Sequence, residues 1–163
     1  VVYEIEGEII YTADFPSVKA VHYLVKHEYV NFLANYILDW TLPISITPTV
    51  IAKLKWNAIK VIIDDALRLL KQLEQDTSAI YSGLESVIMS EGKRRLLPQH
   101  PLMQRYAERL RLCMPAVDNE CNLITLPSGH NIETMRYDDF VIVEAIITAK
   151  NKALDKKLKQ NRR

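Results

Sequence analysis

The stretch EGKRRLLPQHPLMQRYAERLRL, residues 91–112, concentrates the side chains of this chain best suited to gripping an anion. Lys93, Arg94 and Arg95 are consecutive, and Arg105 and Arg109 follow four residues apart. A spacing of four puts two helical side chains on one face. A guanidinium donates two parallel hydrogen bonds, so such a pair suits phosphate oxygens and the major-groove edge of guanine. A second basic cluster closes the chain. Lys156, Lys157 and Lys159 follow Lys150 and Lys152, offset only by Asp155. Each phosphate neutralised by such a cluster releases counterions, which gives salt-dependent, sequence-blind affinity for nucleic acid.

Other chemistry is weaker. Arg95 and His100 have four residues between them, a spacing similar to the signature of the HEPN family of helical ribonucleases. That resemblance implies metal-independent RNA cleavage. In that family the pair sits on one helix, whereas here Pro98 lies between them and proline interrupts a helical ladder. Cys113, Cys121, His100 and His130 lack the paired spacing of a zinc site, so no metal site is expected. His22 and His27 are five apart and diverge on a helix; Asp64-Asp65 and Asp138-Asp139 are neighbours and diverge too. PSGH and EGK hold single glycines, short of a phosphate-cradling loop. No catalytic residue and no cofactor are expected.

The charge totals say where a partner would bind. Net charge is only +1, which argues against a generic polyanion binder. Yet residues 1–90 carry 7 Lys/Arg against 11 Asp/Glu, and residues 91–163 carry 14 against 9. An acidic half and a basic half in one chain point to an anionic partner for the basic half. Two cysteines make no disulfide framework, and a reducing, cytoplasmic setting is the expectation. The chain opens VVYEIEGEII, with no basic start and apolar run of a leader, and no apolar stretch reaches the roughly 20 residues that span a bilayer. No membrane contact is expected.

The elements that would position these groups are mostly helical. Four glycines are few for 163 residues, and 48% apolar content supports a single globular domain over 1–163 with a basic, frayed tail at 151–163. VVYEIEGEIIYTAD alternates like strand and predicts one bent strand or a hairpin at Glu6-Gly7. FPSVKAVHYLVKHEYVNFLANYILDW predicts one helix capped by Ser17. TPTVIAKLKWNAIKVIIDDALRLLKQLEQD predicts a second, with Thr47 as cap, Pro48 in the first position and a polar stripe from Lys53 to Gln75. A third starts near Asp76–Ser78 and stops at Gly92; a fourth runs 101–114. CNLITLPSGHNIETM predicts a β-hairpin turning at PSGH, and a last helix starts at Asp138 or Asp139.

The expected fold is therefore mainly α, of the α+β class. It has about five helices, an N-terminal strand or hairpin, and a β-hairpin before the C-terminal helix. Residues 77–135 follow the order of a winged helix, helix–connection–helix–hairpin, with Arg105 and Arg109 on the helix that would enter a groove of DNA. Tyr29, Phe32 and Tyr36 exceed the main apolar line of the first helix and are expected to mark a protein partner or homodimer surface. Together these features suggest a non-enzymatic accessory or regulatory factor that contacts nucleic acid through its basic half and proteins through its acidic half. A pure protein–protein adaptor or oligomeric scaffold, and a small ribonuclease, are the alternatives.

Overall fold

The computed structural model describes residues 1–89 and 104–161. The chain starts as a hairpin of β1 (Val2–Ile5) and β2 (Glu8–Thr12), with Ile5 opposite Glu8. Glu6 and Gly7 both take positive φ, 53° and 84°. Two left-handed residues make the tight turn whose twist matches the strands it joins. A two-stranded hairpin is marginal in water. Here β3 (Ile37–Trp40) completes it, pairing antiparallel with β2 in the order β1-β2-β3.

The segment expected as one helix over 17–40 is instead α1 (Val18–Val25), α2 (Tyr29–Tyr36) and β3. Ser17 caps α1 as the sequence predicts, accepting from the Ala20 amide. The break comes at His27, which takes φ 61°. There the His27 amide donates to Leu24 and the Glu28 amide to Tyr23, closing the last carbonyls of α1. Ile37 onward is drawn out of helical geometry because β2 has an open edge to satisfy.

A second difference follows. Thr47 caps a single turn, α3 (Pro48–Ile51), and the long helix α4 (Trp56–Met89) begins after it. α4 passes through the site where a new helix was expected to start. At 1.5 Å per residue it is about 50 Å long, enough to serve two apolar clusters. Its first half packs with the sheet, α1, α2 and α3 around Phe32, Leu33, Ile51 and Ile62. Its second half packs with α5 (Ala107–Cys113) and α6 (Tyr137–Asn161) around Ile80, Leu84, Leu110, Ile142 and Ile146.

The hairpin expected over 121–135 is absent: no strand forms there, and only the isolated bridges Val117–Leu123 and Ser17–Arg136 appear. Leu123, Ile124 and Ile132 are exposed and face no second layer that would stabilise a strand. The segment is closed by local bonds instead, with the Asn131 side chain accepting from the Thr134 amide and the Thr134 hydroxyl accepting from the His130 amide. Without a wing, and with the expected first helix merely the end of α4, the winged-helix arrangement is not confirmed. The mainly helical α+β class does. No helix among the described residues is long and apolar enough to cross a membrane.

Candidate functional site

The arginines of α5 and its approach are turned inward onto carboxylates. Arg105 donates to the Asp76 carboxylate of α4 at 2.9 Å, and the Tyr106 hydroxyl donates to the same oxygen at 2.9 Å. Gln72 donates to the other oxygen. Asp76 is buried, at 3% exposure, so these three donors replace the water it has lost. One turn further, Arg109 reaches Asp139 of α6 at 3.4 Å. Asp139 is fully buried and also accepts from the Ser128 hydroxyl at 2.7 Å and from the Cys113 thiol. Arg136 grips the neighbouring Asp138 with two N–H groups at 3.1 and 2.9 Å and lies over the Phe15 ring.

Gln72, Arg105, Tyr106, Arg109, Arg136 and Asp138 border a cleft of about 480 Å³ that also exposes Asp14, Glu108 and Leu69. Each of its three guanidiniums has a carboxylate partner. Titration follows the same logic. Burial, and then the bond to Asp76, push the Tyr106 phenol up. Burial, and then the Asp139 charge, push the Cys113 thiol up. A thiol held protonated is a poor nucleophile. Burial lowers the Arg136 pKa, but the Asp138 contact more than reverses this and leaves it raised. The sequence put Arg105 and Arg109 on one face; the structure gives that face to the protein's own acids. Lys93, Arg94 and Arg95, and the Arg95–His100 pair, lie outside the described residues.

The second basic cluster lies on α6. Lys150, Lys156, Lys157 and Gln160 of α6 border a groove of about 590 Å³, with Asn119 and the end of α4 on its other side. Its apolar lining is Ile88, Met89, Ala153 and Leu154. No carboxylate lines it among the described residues. Lys150 holds one wall in place by donating to the backbone carbonyls of Val117 and Asp118 at 2.7 and 3.0 Å. The Asp118 side chain folds its own loop, accepting from the Asn122 and Glu120 amides, which lowers its pKa. Lys152 pairs with Glu85 on the outside of the same two helices at 2.7 Å, which raises the lysine pKa. Beyond Ala153, residues 154–160 are all exposed, Lys156, Lys157 and Lys159 with them. The tail expected to fray is helix as far as Asn161.

The aromatic residues of α2 separate. Phe32 and Tyr36 are 0% and 1% exposed and stack on each other in the core, so neither is available to a partner. Tyr29 is half-buried and bridges His27 and Trp56, bonding the imidazole at 2.9 Å and packing at 5.4 Å on the indole. The sequence reading missed three residues that organise the molecule: Asp76, Asp139 and Ser128. By sequence alone Asp76 reads as one of the cap candidates of a new helix. Its signal was an acid standing in the line of apolar spacing, three residues after Leu73 and four before Ile80.

No protein-family model matches the chain, and no curated protein or solved structure does.

Proposed function

We propose that the protein is a non-enzymatic binding factor, an adaptor that holds an acidic protein partner in the lysine-bordered groove between the end of α4 and α6. The observation that carries this reading is the groove's lining among the described residues: three lysines, two amides, four apolar side chains and no acid. The arginine cleft, by contrast, already holds as many acids as cations. Charge complementarity steers encounter and suppresses wrong partners. The apolar floor then favours a protein over a nucleic acid, because a phosphate backbone offers nothing to Ile88, Met89, Ala153 and Leu154. The sequence expected the basic half to meet nucleic acid, and one feature still favours that as a second reading. Lys152, Lys156 and Lys159 lie at steps of four and three along the α6 surface, where they could follow a phosphate backbone.

Fluorescence anisotropy with a labelled glutamate-rich peptide and a labelled DNA duplex separates the two. The adaptor reading expects the peptide to bind at low salt, and the Lys156→Glu/Lys157→Glu double variant to lose it. Tighter duplex binding, with a log–log salt slope near about −3 for roughly three neutralised phosphates, would replace it by the nucleic-acid reading.

A further inference from the structure

We infer that the free edge of β1 takes a short, lysine-bearing strand of a partner protein, added to the three-stranded sheet. This surface is separate from the α6 groove and does not depend on what that groove holds.

The edge is open in its backbone. In an antiparallel pair, residues bonded to the neighbouring strand alternate with residues whose N–H and C=O point away from it. Val1 and Thr12 exchange both bonds, at 2.8 and 2.9 Å. Tyr3 and Ile5 therefore bond to β2 as well, and Val2 and Glu4 point outward. β1 is an outermost strand, with β2 beside it on one side only among the described strands. Val2 is 61% exposed, and Glu4 is exposed too. A row of outward N–H and C=O groups is a template for one more strand.

The opposite edge shows the contrast. On β3 the Asp39 carboxylate accepts from the Trp40 amide at 2.8 Å, so that donor is already taken. The register of β3 on β2 also shifts between Tyr11 and Thr12. Such a bulge is one of the devices by which sheets keep further strands off an edge. β1 pairs in unbroken register, and its sequence VYEI holds no proline or lysine.

Charge chooses the occupant. The Glu4 carboxylate has no hydrogen bond or ion pair among the described residues. Residues 1–51 carry Glu4, Glu6, Glu8, Asp14, Glu28 and Asp39 against Lys19 and Lys26. A second copy laid antiparallel on this edge would set Glu4 and Glu6 near their own copies, and like charges across strands weaken pairing. A lysine opposite Glu4 turns that repulsion into attraction. Side chains alternate along a strand, so the partner residue next to that lysine lies opposite Tyr3 or Ile5. Both are half-buried against the first apolar cluster, which calls for an aliphatic residue there. The partner strand is thus cationic on its outer face and aliphatic on its inner face.

The test uses the full chain and a labelled peptide of about eight residues, an ordinary strand length, alternating lysine and valine. Two controls keep its charge. One is N-methylated at the lysine amides, which would face β1; the other is N-methylated at the valine amides, which would face away. Anisotropy at low salt should show the parent and the valine-methylated peptide binding alike, and the lysine-methylated peptide about tenfold more weakly. Glu4→Gln, at an exposed position, should weaken the parent peptide about threefold, and Asp155→Asn on α6 should not. Hydrogen exchange at the Val2 and Glu4 amides should slow on binding.

Equal affinities for the two methylated peptides would reduce the contact to charge attraction and overturn the strand. No binding of the parent peptide at low salt would overturn it as well. Concentration-dependent dimerisation that slows exchange at Val2 and Glu4 without peptide would give the edge to a second copy and overturn the inference. The adaptor reading stands or falls separately, on the glutamate-rich peptide.

Discussion

Arg109 on α5 and Asp139 on α6 meet at 3.4 Å across the second apolar cluster, and the carboxylate of this pair is fully buried while the guanidinium is about a quarter exposed. The asymmetry decides which partner matters more. Removing the Arg109 side chain leaves Asp139 with the Ser128 hydroxyl and the Cys113 thiol, whereas removing the Asp139 carboxylate strips Arg109 and Ser128 of their acceptor and leaves Cys113 the Asp139 backbone carbonyl. Breaking a buried pair from one side costs about 3–5 kcal/mol. Arg109→Ala, which leaves the fully buried Asp139 carboxylate without its cation, should fall in that range by urea denaturation, and Asp139→Ala, whose stranded guanidinium is a quarter exposed and can turn to water, should cost less.

At the Asp76 pair the order is reversed. Arg105 is half exposed, at 53% for the side chain, so it rehydrates when its partner goes. Asp76→Ala also leaves the buried Tyr106 hydroxyl without its acceptor, a loss of about 1–3 kcal/mol. Arg105→Ala leaves the buried Asp76 carboxylate its Tyr106 and Gln72 donors, so its loss should be smaller than that of Asp76→Ala. Equal losses for the two would show that the hydroxyl has another acceptor.

How far the sequence led is clearest at these carboxylates. The α+β class, the N-terminal hairpin turn, Ser17 and Thr47 as caps and the apolar first half of α6 were all written in local spacing and turn chemistry. What was not local was not legible. Asp76 looks like a helix cap until Arg105, Tyr106 and Gln72 converge on it from up to 30 residues away. Ile37–Trp40 continues a helical pattern until the open edge of β2 claims it. Residues 121–135 have strand composition but no layer to lie against. The same limit applies to function. Spacing put Arg105 and Arg109 on one face, but only tertiary contacts reveal that the protein's own acids occupy it, and only they build the groove beside Lys156 and Lys157.

The two cysteines should react very differently. Cys121 is partly exposed and Cys113 is buried, so a thiol reagent at pH 8 should modify one thiol quickly and the second only as the protein unfolds. Cys121→Ala should abolish the fast phase. Two fast thiols in the native state would contradict the buried contact of Cys113 with Asp139.

Alkaline pH should weaken the fold through the same burial. The Cys113 thiol and the Tyr106 phenol hold their protons more tightly folded than unfolded, their ordinary values being 9.0 and 10.0. A raised folded value means that the stabilisation is whole below the ordinary value and is lost as pH rises beyond it. The melting temperature should stay level from about pH 7 to about 8.5 and then fall. Cys113→Ala should flatten the first part of the fall while leaving the later, phenolic part.

Two glycines with similar φ should respond unequally to alanine. A Cβ at Gly7, φ 84°, meets nothing within 4 Å, whereas at Gly129, φ 79°, it would stand 2.7 Å from the Met135 nitrogen and the Thr134 carbonyl. Gly7→Ala should cost about 1 kcal/mol for the left-handed conformation alone. Gly129→Ala must also shift backbone that bears on Ser128 and Asp139, and its loss in urea denaturation should be the larger.

The central claim is the place of binding, and backbone amide shifts measured while the glutamate-rich peptide is added test it most directly. The predicted result is a set of perturbed amides at Ile88, Met89, Ala153, Leu154, Lys156 and Lys157, with Arg105, Arg109 and Arg136 unmoved. Perturbation centred on those three arginines, or on Tyr29 and Trp56, with the α6 groove silent, would contradict it.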